Sequence, residues 1–245
     1  MTARTLGLAV FATLLASCAP TPAVQRGAYV RALQTAPGNA QPSNLVAREI
    51  EMAKRASEVG RMTALEEFGI PEAFVISRAG EVSPRGLAED AVESRIATWS
   101  PKTVWMSCDG RSGVSEGRFE DADGKVGDYI TGWRRNGETG EYEWVRTAAA
   151  LDDPQPPARP APAPVQPGEI VVDGLVSVKG NVADCKPRPG ARPAVGASTQ
   201  ELSSGDQTLA WLTTYAEGER IVEVRAWTQG EWQTVLKQRW TATRP

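Results

Sequence analysis

The sequence predicts an α+β fold, with helices first along the chain and an antiparallel sheet after them. Between residues 45 and 96 the apolar residues recur mainly at the spacing of amphipathic helices. From residue 103 the apolar positions alternate, and Asp-Gly and Asn-Gly pairs separate the alternating segments. Helices followed by a run of strands is the element order of α+β domains.

The helical part begins with Asn44, a residue that favours the position just before a helix. The longest helix is predicted over residues 45–59 and ends at Gly60. Glu49 is the one charged residue inside its apolar arc. Shorter elements are expected next: a helix over 62–68, a strand over 73–77 and a helix over 87–96.

Four strands of an antiparallel meander are predicted over residues 103–108, 112–120, 126–135 and 142–147. The domain formed by these helices and strands spans residues 44–151. A linker over 152–168 follows, with seven prolines that favour an extended chain. The remaining residues, 169–245, form a small β-rich C-terminal unit with clear strands over 208–215, 220–227 and 232–240. Because an isolated unit of that size has a marginal core, we expect it to dock on the first domain.

The N-terminus has the pattern of an export signal. Arg4 precedes a short apolar run from Leu6 to Leu15, which is too short to span a bilayer, and Ala16 and Ser17 lead into Cys18. This pattern resembles the lipobox of bacterial lipoproteins, which implies a signal peptide over residues 1–17 and a lipid on Cys18. Residues 18–43 then form a polar tether. The prediction is a lipid-anchored protein on the periplasmic face of the envelope, at the outer membrane; the alternative is an ordinary cleaved signal.

Composition excludes several kinds of site. The chain has 245 residues, a net charge of −3 and no histidine. Without a basic stripe, a nucleic-acid partner is not expected. Without histidine, Ser-His-Asp and Cys-His catalysis is excluded, and neither a metal nor a cofactor is predicted. If a lipid occupies Cys18, then Cys108 and Cys185 remain, either as a disulfide or as two buried thiols.

Several short motifs carry a resemblance to a known family. They are residues 47–52, 58–60, 105–110, 113–117, 127–135 and 142–145, in that order along the chain. Together they resemble the NTF2-like superfamily, and within it the SnoaL-like and DUF4440 group. The resemblance implies a cone of helices packed in a curved antiparallel sheet, with a pocket at its open end. It also implies a homodimer formed through the outer face of the sheet, unless the C-terminal unit covers that face. Close relatives carry an acid and a histidine where Thr147 and Ala148 stand here, so chemistry that depends on that pair is not expected.

Strand alternation places a set of side chains where they could line such a pocket or fill the core: Trp105, Ser115, Phe119, Tyr129, Thr131 and Trp133. The candidate catalytic pair is Glu49 as base and Tyr129 as hydrogen-bond donor, because burial raises the pKa of a carboxyl toward neutral pH. The alternative for Glu49 is a structural role near the start of its helix.

Three functions are compatible with these features. The first is a non-catalytic, lipid-anchored protein that binds a small apolar or amphipathic ligand, or an envelope protein. The second is an isomerase, dehydratase or hydrolase using Glu49. The third is contact with the cell wall through the tryptophans of the C-terminal unit, Trp211, Trp227, Trp232 and Trp240, although aromatic residues also serve as the core of small β domains.

Overall fold

The computed structural model describes residues 40–77, 80–89, 91–157, 177–187, 189–216 and 219–241. The predicted signal peptide, Cys18 and most of the predicted tether and linker lie outside the described residues. So do residues 169–176 of the C-terminal unit. No helix among the residues described is both long enough and apolar enough to cross a membrane.

Three α-helices occur in the described part of the chain: α1 over Pro42–Val59, α2 over Arg61–Phe68 and α3 over Val92–Arg95. A short 3-10 turn, Pro84–Gly86, precedes α3. Helix α1 starts two residues before the predicted Asn44, because a proline suits the first helical turn, where its missing N–H costs no hydrogen bond. It ends at Gly60, whose φ of 88° is accessible to glycine at little cost.

A seven-stranded sheet, the first sheet, contains β1 (Gly69–Ser77), β2 (Gly80–Val82), β3 (Ile96–Met106), β4 (Ser112–Asp121), β5 (Val126–Arg135), β6 (Tyr142–Leu151) and β7 (Lys179–Val182). The spatial order is β2-β1-β6-β5-β4-β3-β7. Strands β3 to β6 form the antiparallel meander that the turn signals predict. Strands β1 and β7 extend it by pairing in parallel with β6 and β3.

A four-stranded antiparallel sheet, the second sheet, contains β8 (Thr199–Ser203), β9 (Leu209–Ala216), β10 (Glu219–Thr228) and β11 (Glu231–Thr241). Its order is β11-β10-β9-β8. The predicted strands of the C-terminal unit correspond to β9, β10 and β11. Strand β8 lies outside the strands that the sequence predicts.

The helices and the two sheets are stacked in three layers. The inner face of the first sheet, which carries Trp133 and Trp144, packs against α1 and α2. Its outer face, which carries Val114, Ile130 and Ala148, packs against the second sheet through a core shared by both sheets. The second sheet therefore covers the surface through which the resemblance implied homodimer formation.

The prediction of an α+β fold built as a helix-packed cone is wrong. Of the described residues, 51% are in strands and only about 19% in helices, and the strands form two large sheets. The sequence overestimates the helical part because residues 87–96 have a helical pattern, whereas the structure has only the one-turn helix α3 there. It underestimates the β part because the strand predicted over 103–108 begins at Ile96, and because the edge strands β2 and β7 are not predicted from the local sequence.

A disulfide joins Cys108, in the turn after β3, to Cys185, just after β7, with a Cα–Cα distance of 5.2 Å. The same turn is hydrogen-bonded to the second sheet region, where the Cys108 N–H donates to the Thr208 hydroxyl at 2.9 Å. Of the two alternatives left open for these cysteines, the structure has the bridged form.

Candidate functional site

Glu49 lies on the buried face of α1, in register with the apolar side chains Leu45, Met52 and Ala56. Only 1% of its surface is exposed. The helical spacing that placed Glu49 in the apolar arc thus leads, in the folded protein, to a carboxyl group enclosed between α1 and the inner face of the first sheet.

Tyr129 is brought to Glu49 by β5, and its hydroxyl donates a short hydrogen bond to Glu49 Oε1. The two residues are 80 positions apart in the chain, and Tyr129 is 3% exposed. The other carboxyl oxygen, Oε2, is buried and has no hydrogen-bond partner. The predicted catalytic pair is therefore assembled, with one oxygen of the carboxyl group left unpaired.

Burial raises the pKa of Glu49 from 4.5 to about 7. The Tyr129 hydrogen bond, the nearby Ser115 hydroxyl and the charge of Arg61 oppose this rise without cancelling it. Burial also raises the pKa of Tyr129 well above 10, and the neighbouring Glu49 carboxyl adds to this rise. Near neutral pH the pair consists of a half-protonated carboxyl group and a neutral phenol.

Arg61 is the cationic neighbour of this pair. It begins α2, its Nε donates to the Glu93 carbonyl at 2.7 Å, and its guanidinium lies 4.6 Å from the centre of the Trp99 ring. Burial lowers the pKa of Arg61 from its usual range to about 10, although the charge of Glu93 partly offsets the decrease. Arg61 thus stays charged at neutral pH and is held in place by a backbone carbonyl and an aromatic face.

The space beside Glu49 is very small. A cavity of about 10 Å³ is lined by Glu49, Arg61, Tyr129 and two paired threonine hydroxyls, with aromatic and aliphatic side chains around them. The two threonines, Thr131 and Thr147, are 2.8 Å apart at their hydroxyl oxygens. This volume is about that of one water molecule. The arrangement has the groups for proton transfer but no room for an organic substrate.

The structure divides the six predicted pocket residues between two faces. Tyr129, Thr131 and Trp133 line the small cavity. Ser115 is on the same face, where its hydroxyl accepts a 2.9 Å hydrogen bond from Trp133 Nε1. Phe119 packs beside Tyr129.

Trp105, in contrast, packs with the outer-face core. Its neighbours along β3, Val104 and Met106, face the helices instead, and successive residues of a strand point to opposite sides. Trp105 therefore does not line the cavity beside Glu49.

The tryptophans of the C-terminal unit mostly fill the core. Trp211, Trp227 and Trp240 are 3%, 6% and 9% exposed, respectively. Trp232 is partly exposed and contacts Trp227 edge-on, with ring centres 5.9 Å apart. The structure thus gives three of the four a packing role and leaves one ring at the surface.

Acidic residues near Gly124 are used by a turn. The Asp121 carboxylate accepts hydrogen bonds from the N–H groups of Asp123 and Lys125 at 2.9 and 2.8 Å. Across the described ranges, no group of three or more acidic or cysteine side chains is arranged to hold a metal ion.

A much larger opening lies outside the core. It is a cleft of about 1570 Å³ bordered by the end of β6, by Pro154–Pro157, by the loop before α3 and by β11 from Lys237 to Trp240. At its wall Arg220 donates to the carbonyl of Ala149 at 3.2 Å and lies 4.7 Å from the centre of the Trp240 ring. The volume of this cleft is larger than that of a typical pocket for a single small molecule.

Two important residues escaped the sequence prediction. Arg61 directly follows the glycine that ends α1, and no local pattern marks it as the partner of a buried carboxyl. Arg220 lies in an alternating strand where a charged residue is normally solvated. Both signals are tertiary, because the backbone carbonyls that accept from these guanidinium groups are 32 and 71 residues away in the chain.

Comparison with known proteins adds little. No family model matches the chain, and no curated protein matches it. Among solved structures, the chain is similar to a proposed aromatic ring hydroxylase from Novosphingobium aromaticivorans, with 14% identity and a TM-score of 0.33. That match covers 45% of this chain and 87% of the other. A similarity of this degree does not establish a shared fold.

Proposed function

We propose that this protein is a lipid-anchored envelope protein that acts by binding a partner protein, not by catalysis. Cys18 carries the lipid, and the polar segment after it holds the folded domain away from the membrane. The observation that carries the proposal is the size of the inner cavity. At about 10 Å³, it holds one water molecule and no organic ligand.

The disulfide between Cys108 and Cys185 supports an extracytoplasmic location, because such bonds persist in oxidising compartments and are rare in the cytosol. It also leaves Cys18 as the cysteine that could carry a lipid, since the chain has three cysteines.

The cleft beside β11 is the surface that best fits a protein partner. Strand β11 is an edge strand of eleven residues, and within the described residues it pairs with β10 on one side. Edge strands of this length bind extended segments by adding a strand to the sheet. We therefore place an extended segment of the envelope partner along β11.

Site-specific photocrosslinking in cells tests this role. A photoreactive residue at Lys237, which lines the cleft and has a side chain 50% exposed, should give one discrete protein adduct. The same residue at Ile50, which is 58% exposed on α1, serves as the matched control and should give none. Equal adducts at both positions would contradict the proposal.

Native mass spectrometry of the full chain from its own envelope separates the two classes of ligand. A copurifying protein partner supports the proposal, whereas the absence of a protein partner together with a small molecule that is lost from Glu49→Gln would refute it.

A second candidate is acid–base catalysis, which is favoured by the Glu49–Tyr129 contact and by the pKa of Glu49 near 7. It requires the helices to move, because a substrate does not fit the cavity beside the pair. A small molecule that copurifies with the wild type and is lost from Glu49→Gln would support this candidate.

A further inference from the structure

Arg146 is a buried cation on the outer face of the first sheet, whereas Glu49 packs against the inner face. It lies on β6 between Gly132 of β5 and Phe74 of β1 and is 9% exposed. Its guanidinium is 5.0 Å from the centre of the Phe74 ring and 5.9 Å from that of Trp211, which belongs to the second sheet. Aromatic faces from both sheets thus enclose the charge.

Two nitrogen atoms of the guanidinium lack polar partners. Its Nε and Nη1 atoms are buried without a hydrogen bond, and so is the nearby hydroxyl of Tyr215. Arg146 and Tyr215 are close enough to influence each other electrostatically. Buried polar groups in folded proteins are normally satisfied, and an arginine cannot lose its charge to avoid the cost. The three unpaired donors therefore indicate an acceptor that binds between them.

The edge of the second sheet leaves exposed side chains on the side that faces the first sheet. Strand β8 pairs with β9 so that Leu202 is opposite Trp211 and Gln200 is opposite Thr213. Opposite residues in a pair of strands point to the same side, so Leu202 and Gln200 point toward the first sheet. Both are nevertheless exposed, Leu202 by 40%.

We propose that Arg146 and Tyr215 bind the carboxylate of a small organic acid, whose apolar part lies against Phe74, Trp211 and Leu202. A guanidinium and a phenol hydroxyl are donors suited to a carboxylate, and the ring faces and the exposed leucine are apolar. The site goes beyond the proposed partner binding, and it needs neither the lipid on Cys18 nor the cleft beside β11.

Glu81 is the acidic group that faces the site. The register of β1 and β2 puts Glu81 beside Ile76 on the outer face, where its charge acts on both Arg146 and Tyr215. It forms no ion pair with Arg146 in the described structure. It lies close enough to the Tyr215 hydroxyl to raise the pKa of that phenol, but the hydroxyl makes no hydrogen bond of normal length and angle. Glu81 thus repels a bound anion, and its neutral variant Glu81→Gln should bind carboxylates several-fold more tightly.

Calorimetric titration of the full chain in a non-ionic detergent tests the ligand class. Sodium benzoate is the probe, benzamide is its neutral counterpart, and inorganic phosphate is an anion without an apolar part. We expect saturable binding of benzoate, with benzamide and phosphate at least about tenfold weaker. Absence of benzoate binding, or phosphate binding as tight as that of benzoate, would overturn the proposal.

Variants distinguish a binding role from a structural one. Arg146→Met should lower benzoate affinity at least about tenfold while the melting temperature stays equal or rises, because an apolar side chain needs no partner there. Tyr215→Phe should weaken binding several-fold and leave stability unchanged. Arg225→Met, at an arginine paired with Glu223, is the control and should bind like the wild type. A lower melting temperature of Arg146→Met with unchanged benzoate affinity would show that Arg146 is structural.

Discussion

Replacing Glu49 by glutamine should remove a large part of the pH dependence of stability. In the folded protein the pKa of Glu49 is about 7, and in the unfolded chain it returns to about 4.5. At pH values between these two pKa values, the folded state binds more protons than the unfolded state. The free energy of unfolding therefore falls as the pH rises through this range. This contribution of Glu49 is fully present below about pH 4.5 and is lost by about pH 7.

The size of the effect follows from the pKa difference. Each pKa unit corresponds to about 1.4 kcal/mol, so the ionised carboxyl destabilises the fold by about 3 kcal/mol at alkaline pH. Between about pH 5 and pH 8, wild type should lose about 2–3 kcal/mol relative to Glu49→Gln, whose amide does not titrate. Other titrating groups cancel in this comparison where they do not interact with Glu49.

Urea unfolding of both proteins at the two pH values, without reductant, measures the difference. Glu58→Gln removes an exposed carboxylate from the same helix and is the matched control; its pH dependence should follow that of wild type. Parallel curves for wild type and Glu49→Gln would refute the reasoning, because they would show that Glu49 ionises alike in both states.

Three further predictions concern other parts of the chain. Cys18→Ala should move the protein from the membrane fraction to the soluble periplasmic fraction, and a variant that still sediments with membranes would show that the anchor is elsewhere. Thiol titration of the denatured, unreduced protein should find neither Cys108 nor Cys185 reactive. Reduction of the disulfide, which closes a loop with a sequence separation of 77, should lower the free energy of unfolding by about 4 kcal/mol, measured from urea midpoints. Gly117→Ala should cost about 1–3 kcal/mol or more, because its new methyl group would meet the Ser100 carbonyl oxygen at 2.1 Å. Gly137→Ala, at a turn with nothing within 4 Å, is its control and should melt like wild type.

Local patterns predicted the antiparallel meander well. Strand β5 has the predicted bounds, and β4 differs by one residue, because alternation and turn residues act over a few positions. The same kind of pattern gave a wrong prediction at residues 87–96. Their apolar spacing predicts a helix, but the structure has only one helical turn there, and β3 begins earlier than predicted. Parallel pairing of β7 with β3 has no local signal, since the two strands are joined by more than seventy residues.

The candidate site was predicted in part. Helical spacing identified Glu49 as a buried acid, and alternation placed Tyr129 on the face with Ser115 and Trp133. These sequence patterns could not give the volume enclosed between Glu49 and the strand residues, which depends on how closely α1 packs on the sheet. That volume decides between a substrate pocket and a closed core.

By itself the sequence determined two short-range features, an acid on an apolar helix face and the strand alternation, and it predicts an export signal before Cys18. These depend on neighbours a few residues apart. Tertiary structure alone decided that Glu49 meets Tyr129 across 80 residues, and that a second sheet covers the outer face of the first. It also decided that Arg146 is enclosed between aromatic rings without a partner, because burial and pairing are set by chain segments that the local sequence does not specify.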